Sequence, residues 1–178
     1  ESKVSDPVKN IRFIMPGYEN TYHTNPFYST FTERLRGIKA IRFMNWCIRS
    51  WSIYDTSVSS WTERITPSYY TQTASTGVAI EYMIQLCNEV DADAWINIPH
   101  KANDDYITQL AKLWRDNLEA GRKIYLEYSN EVWNGTYAQE IYCREQGLLQ
   151  NLDSDGVTAR DKFYTKRSLE IFKIFVTE

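Results

Sequence analysis

Cysteine is scarce in this chain: three residues, Cys47, Cys87 and Cys143, in 178. An odd number excludes a complete set of internal disulfides, and the spacing is too wide for a CxxC metal or redox motif. One disulfide plus one thiol and three free thiols both stay open. No stretch approaches the roughly 20 apolar residues that a membrane-spanning helix needs. No run of Lys and Arg marks a membrane surface or a basic tail. The 20 basic residues are outnumbered by 23 acidic ones, for a net charge of −3. A protein that tracks phosphates would be basic, so nucleic acid is not an expected partner. Neither GxGxxG nor a P-loop follows any expected strand, which counts against a nucleotide site. No linker or low-complexity segment divides the chain, and it fits one domain, residues 1–178. The opening residues, Glu1 to Asp6, are neither a signal peptide nor an initiator Met. They read as the interior of a longer chain or as a processed end.

What the chain has in abundance is aromatic rings: 13 Tyr, 7 Phe and 6 Trp. Such rings fill cores, and they also make flat platforms for sugar rings. The order of elements is strand and helix in alternation. Ile11 to Met15 is an apolar run closed by Pro16-Gly17, expected as a strand and turn. Phe27, Phe31 and Leu35 fall at helical spacing, and Gly37 ends that helix. Ile38 to Trp46 is expected as a second strand. Cys47 to Thr76 has no periodicity but carries Trp51, Trp61, Tyr69 and Tyr70, which favours an ordered loop. Gly77 to Val90 is a helix, with Ile80, Met83, Ile84 and Cys87 on one side. Ala94 to Pro99 is a third strand, nearly all apolar, as is typical of a parallel sheet covered on both faces. Asn103 caps a helix with Asp104 and Asp105 in its first turn, and Gly121 closes it. Lys123 to Ser129 is a fourth strand. Helices follow at Thr136 to Gln146 and Val157 to Val176. About four βα units imply a parallel sheet, either doubly wound or part of a barrel.

In parallel α/β folds the active site lies at the carboxyl ends of the strands. Three such ends are polar or aromatic here: Arg42-Phe43-Met44-Asn45-Trp46, Asn97-Ile98-Pro99-His100, and Ser129-Asn130-Glu131-Val132-Trp133. Glu131 is the candidate acid/base, since a carboxyl held partly out of water at a strand end can deliver a proton near neutral pH. The bland alternative is a Glu that caps a loop or pairs with a Lys. Asn130 beside it carries an amide suited to a sugar hydroxyl.

The Asn130-Glu131 pair closing that strand resembles the signature of clan A glycoside hydrolases, retaining enzymes built on (β/α)8 barrels. A wider set of motifs resembles secreted glycosidase-like proteins. These are Ile41-Arg42-Phe43-Met44-Asn45-Trp46, Gly77 to Met83, Ile98-Pro99-His100, Asp104-Asp105-Tyr106, Glu127 to Trp133, and the closing Tyr164, Arg167, Ser168, Glu170, Ile171 and Phe172. The similarity covers nearly the whole chain from residue 10. It implies the first half of a TIM barrel, with Glu131 as acid/base and Asn130 as the contact to the substrate 2-hydroxyl. Arg42 resembles the arginine that steadies the nucleophile. The resemblance places Asn45, Trp46, His100 and Trp133 with the substrate-binding group. One departure is Asn45, where the relatives carry Asp.

A retaining enzyme needs a second carboxylate roughly 5–5.5 Å from the first. Glu127 lies four residues back, about 13 Å along an extended strand, and is read as a barrel-interior or structural residue. In the resembled clan the nucleophile comes from strand seven. A complete barrel needs about 250 residues, so the chain is expected to be a fragment whose nucleophile lies in the remainder of the polypeptide.

Asn134-Gly135-Thr136 is an N-glycosylation sequon, making Asn134 a candidate for an N-linked glycan. The expectation is a secreted or extracellular glycoside hydrolase-like domain that acts on β-linked polysaccharide by double displacement. That mechanism needs no metal or organic cofactor, and none is signalled. The alternative is a non-catalytic domain that binds carbohydrate or builds an extracellular matrix or filament. A doubly wound sheet with another activity rests only on the βα order.

Overall fold

Ala94, Ile96 and Ile98 alternate along one strand, and their burial shows which face of the sheet the chain packs against. The computed structural model describes residues 11–48, 55–72 and 74–178. The expected N-terminal end, Glu1 to Asp6, and Trp51 lie outside the described residues. The elements run α1 (Ser29–Leu35), β1 (Ala40–Arg42), α2 (Met44–Cys47), a 3-10 turn at Trp61–Glu63, α3 (Ile80–Val90), β2 (Asp93–Ile98), α4 (Asp104–Asn117), β3 (Ile124–Tyr128), α5 (Ala138–Leu149) and α6 (Gly156–Thr177).

The three strands form one parallel sheet in the order β1-β2-β3. Ala94, Ile96, Ile98 and Tyr128 face the core with Met83, Leu86, Ile107, Trp114 and Ile171. Burying one such aliphatic side chain contributes about 1.5–3 kcal/mol. The opposite face carries Arg42, Trp95, Tyr125 and Glu127, since Arg42 pairs in register with Trp95, Trp95 with Tyr125 and Asn97 with Glu127. Trp95 is 40% exposed and Tyr125 is 45% exposed, so β2 is not covered on both faces as its apolar run suggested.

The expected partial TIM barrel with about four βα units is corrected by this sheet. Among the described residues there are three strands, which makes an α/β fold with a three-stranded parallel sheet. Ile11 to Met15 is not a strand. A strand needs a neighbour to take its backbone hydrogen bonds, and β1 pairs with β2 alone. Ile11 and Phe13 are accordingly exposed. The expected strand from Ile38 to Trp46 is cut to Ala40–Arg42. Phe43 donates a last ladder bond to the Trp95 carbonyl at 2.8 Å, then Trp46 and Cys47 both turn back to the Phe43 carbonyl. Asn45 and Trp46 therefore sit on a helical turn.

Local chemistry fixes the helices. The Asn103 side chain accepts from the Tyr106 N–H at 2.8 Å, with Asp104 and Asp105 in the first turn. Tyr106, Ile107, Leu110, Ala111 and Trp114 then bury one face of α4. In the loop, Ser60 and Glu63 form a capping box around the 3-10 turn. Arg64 stacks over Trp61 there, and Trp61 packs edge-on against Tyr106. The three cysteines are free thiols, which resolves the open disulfide question. Among the described residues no helix is long and apolar enough to cross a membrane.

Candidate functional site

Parallel strands bring their carboxyl ends to one edge of the sheet, so Arg42, His100 and the segment from Ser129 to Trp133 share that edge. The turn after β3 is unusual. Ser129 and Glu131 both have left-handed backbones, with φ of 61° and 44°. Non-glycine residues avoid this region, at a cost of roughly 1–2 kcal/mol each. Three hydrogen bonds hold the turn in place. The Ser129 N–H donates to the Ile98 carbonyl at 2.8 Å, the Asn97 amide donates to the Ser129 carbonyl at 2.7 Å, and the Gln139 amide donates to the Asn130 carbonyl at 2.7 Å. Asn97 and Gln139 are both buried. The surrounding structure thus dictates a strained conformation, a pattern that clusters at functional sites.

Asn130 is buried, and its Oδ1 accepts from Arg42 Nη2 at 2.9 Å. Arg42 is also bound to Glu127 through Nε and Nη2, and the Trp95 indole N–H donates to Glu127 Oε2 at 2.8 Å. The Arg42 guanidinium lies over the Trp95 ring, 5.1 Å from its centroid. The arginine expected to steady a nucleophile joins Glu127 to Asn130. Glu127, read from the sequence as structural, is the centre of this polar cluster.

Glu131 itself is exposed rather than sunk in the core. Its Oε2 accepts from Asn134 Nδ2 at 3.2 Å, and its carbonyl accepts from the Asn134 N–H at 2.9 Å. Trp133 follows on the same turn and is 69% exposed. Asn45 is exposed on α2, while Trp46 is half-buried against Phe43.

His100 sits apart from Glu131 in its bonding. It is buried, its Nε2 lies 3.3 Å from Asp55 Oδ2, and it packs on Tyr142. Burial lowers the imidazole pKa below its ordinary value, more than the Asp55 carboxylate raises it. The ring is therefore neutral at pH 7, and its contact with Asp55 is a hydrogen bond rather than an ion pair. Burial pushes the Asp55 carboxyl up, but Lys101, the Ser57 N–H and His100 together outweigh that and hold it below the usual range. The ionic partner of Asp55 is Lys101.

The structure therefore joins Arg42 to Asn130 directly and sets Glu131 and Trp133 on the adjoining turn. Several participants carried little sequence signal. Asp55 lies in an aperiodic stretch, and Gln139 lies inside a helix. Trp95, and the meeting of Glu127 with Arg42, show only in the register of the strands. Among the described residues, no group of three or more His, Cys, Asp or Glu is placed to hold a metal ion.

No protein-family model, curated protein or solved structure matches this chain.

Proposed function

We propose that the turn after β3 is a glycan-handling site in which Glu131 is the proton donor for hydrolysis of β-linked polysaccharide. The observation that carries this reading is the pair of left-handed residues, Ser129 and Glu131, held by buried bonds from Asn97 and Gln139. A strained turn so firmly held presents one carboxyl to solvent beside one buried amide. In the proposed reaction Glu131 protonates the glycosidic oxygen, and its carboxylate then activates water. Asn130, clamped by Arg42, offers its amide to a ring hydroxyl. Trp133 supplies an aromatic face to the sugar. Retention needs a second carboxylate roughly 5–5.5 Å away, which this reading takes from outside the described residues. It also places the protein outside the cell, where such polysaccharides are met.

A second reading is a domain that binds the glycan without cleaving it, within an extracellular matrix or filament. The exposure of Trp133 favours it, because a platform alone suffices for binding. The two separate on Glu131→Gln and Trp133→Ala, assayed on an activated aryl β-glycoside and on insoluble β-glucan. Cleavage by the native chain that falls at least 100-fold in Glu131→Gln, with binding kept, supports the enzyme. Cleavage unchanged in Glu131→Gln refutes the role of Glu131. Binding lost in Trp133→Ala, without cleavage even by a polypeptide that supplies the second carboxylate, selects the binding domain.

A further inference from the structure

We infer that Asn134 positions the Glu131 carboxylate, and that an N-linked glycan on Asn134 is the off state of the same site. This rests on the reading of Glu131 as a proton donor. An asparagine amide can face either way, and its neighbours decide which. Here Asn134 Oδ1 accepts from the Thr136 hydroxyl at 2.8 Å and from the Thr136 N–H at 3.2 Å. With both donors on the oxygen side, Nδ2 is turned to Glu131 Oε2, 3.2 Å away. The Asn134 N–H and carbonyl are held as well, by Glu131 and Tyr137. One short turn thus fixes the direction of the Glu131 carboxyl through Asn134, and the direction of Asn134 through Thr136.

The same three residues, Asn134, Gly135 and Thr136, form the acceptor sequence for N-glycosylation. Asn134 is half-buried, while Gly135 and Thr136 are exposed. In glycan transfer the amide nitrogen forms a bond to the sugar C1. The bond from C1 to the oxygen of a polyprenyl pyrophosphate carrier breaks, its electron pair leaves with the pyrophosphate, and one amide proton goes to a base. The first sugar is then one covalent bond from an atom lying 3.2 Å from Glu131 Oε2. A sugar ring there replaces one of the two amide hydrogens and stands in the approach to the carboxylate. Unmodified Asn134 orients the acid, whereas glycosylated Asn134 covers it.

The test compares the whole chain made in a secretory eukaryotic host with the same chain made in a bacterial cytosol. Occupancy of Asn134 is read by peptide mass. Access to Glu131 is read by carbodiimide coupling to an added amine, which needs no substrate. The expected result is a glycan on Asn134 of the secreted chain, with Glu131 labelled at least fivefold more slowly and hydrolysis of the aryl glycoside reduced at least tenfold. An unmodified Asn134 in the secreted chain, or equal labelling of the two chains, overturns the inference. Slower labelling with no hydrolysis by either chain supports the glycan's position over Glu131, and the proton-donor reading is then decided by Glu131→Gln in a polypeptide that supplies the second carboxylate. In the bacterial chain Thr136→Ala is expected to lower kcat several-fold with little change in KM, and Thr136→Ser to restore it. Equal kcat in Thr136→Ala overturns the positioning role.

Discussion

Arg42 on one edge strand grips Glu127 on the other, with Nη2 at 2.8 Å from Oε2 and 2.9 Å from Oε1, and Nε at 3.1 Å from Oε2. The contact crosses β2, two strand spacings or about 10 Å. Trp95 lies between, donating to the same carboxylate and supporting the guanidinium with its ring. Arg42 is 37% exposed and Glu127 is 22% exposed, so solvent weakens the pair relative to a buried one. Arg42→Ala is expected to cost about 1–2 kcal/mol in urea unfolding, between the values for exposed and buried pairs. Arg42→Lys should not restore it, because a lysine cannot make the forked contact. A double-mutant cycle with Glu127→Gln should give a coupling of about 1 kcal/mol. Additive effects would show that the crossing pair does not tie the sheet together.

The turn after β3 sets stability against function. Glycine occupies the left-handed region without strain, so Glu131→Gly is expected to raise stability by about 0.5–1 kcal/mol, the strain relieved less the extra freedom of the unfolded chain. It should also abolish whatever Glu131 does. Asp91 provides the comparison, since it ends α3 at φ 58° and takes no part in the site. Asp91→Gly should bring a similar gain in chemical denaturation and leave activity and glycan binding unchanged. A loss of stability in Glu131→Gly would mean that its bond to Asn134 outweighs the backbone cost.

His100 makes the fold sensitive to acid. Its folded pKa lies below the ordinary 6.5 because burial disfavours the charged ring. As pH falls through that value the unfolded chain takes a proton that the folded chain refuses, so stability drops. Asp55, held below its ordinary 3.8, adds a second loss as pH falls below that value. Both losses run toward acid. Thermal midpoints should be level between about pH 7 and pH 8, decline below about pH 6.5, and decline further below about pH 4. His100→Gln should flatten the first decline and leave the second. A midpoint that rises between pH 7 and pH 5 would mean that the ring is charged in the folded chain.

Helices and the strands β2 and β3 were legible because their signals are local. Ile107, Leu110, Ala111 and Trp114 repeat at helical spacing, and Asn103 supplies a cap within three residues. β2 and β3 announced themselves by apolar content. Ile11 to Met15 has the same content and fails as a strand, because pairing is a property of two segments and only one is visible in a window. The sheet's open face illustrates the same limit. Trp95, Arg42 and Glu127 are far apart in sequence, and only the register shows that they meet. Glu131 was legible as a position at a strand end. Its left-handed backbone was not, since a Glu has no intrinsic preference for that region. The bonds from Asn97 and Gln139 that impose it come from β2 and α5.

Gly147 offers a test of how α5 meets α6. A side chain built there would overlap the backbone carbonyl of Ala159, while one at Gly135 would meet nothing within 4 Å. The two helices approach this closely because neither carries bulk at the crossing, and the Glu140–Arg160 ion pair lies at the same junction. Helix propensity alone favours Gly147→Ala by about 1 kcal/mol. The overlap is with backbone, which cannot rotate away, so the helices must separate and lose contact along their length. The net effect of Gly147→Ala is therefore expected to be a loss of about 1–3 kcal/mol. Gly135→Ala should stay within about 0.5 kcal/mol of the native chain. Guanidinium unfolding of the two variants decides it: a stabilised Gly147→Ala would mean that the helices part at little cost to admit the extra methyl group against the Ala159 carbonyl.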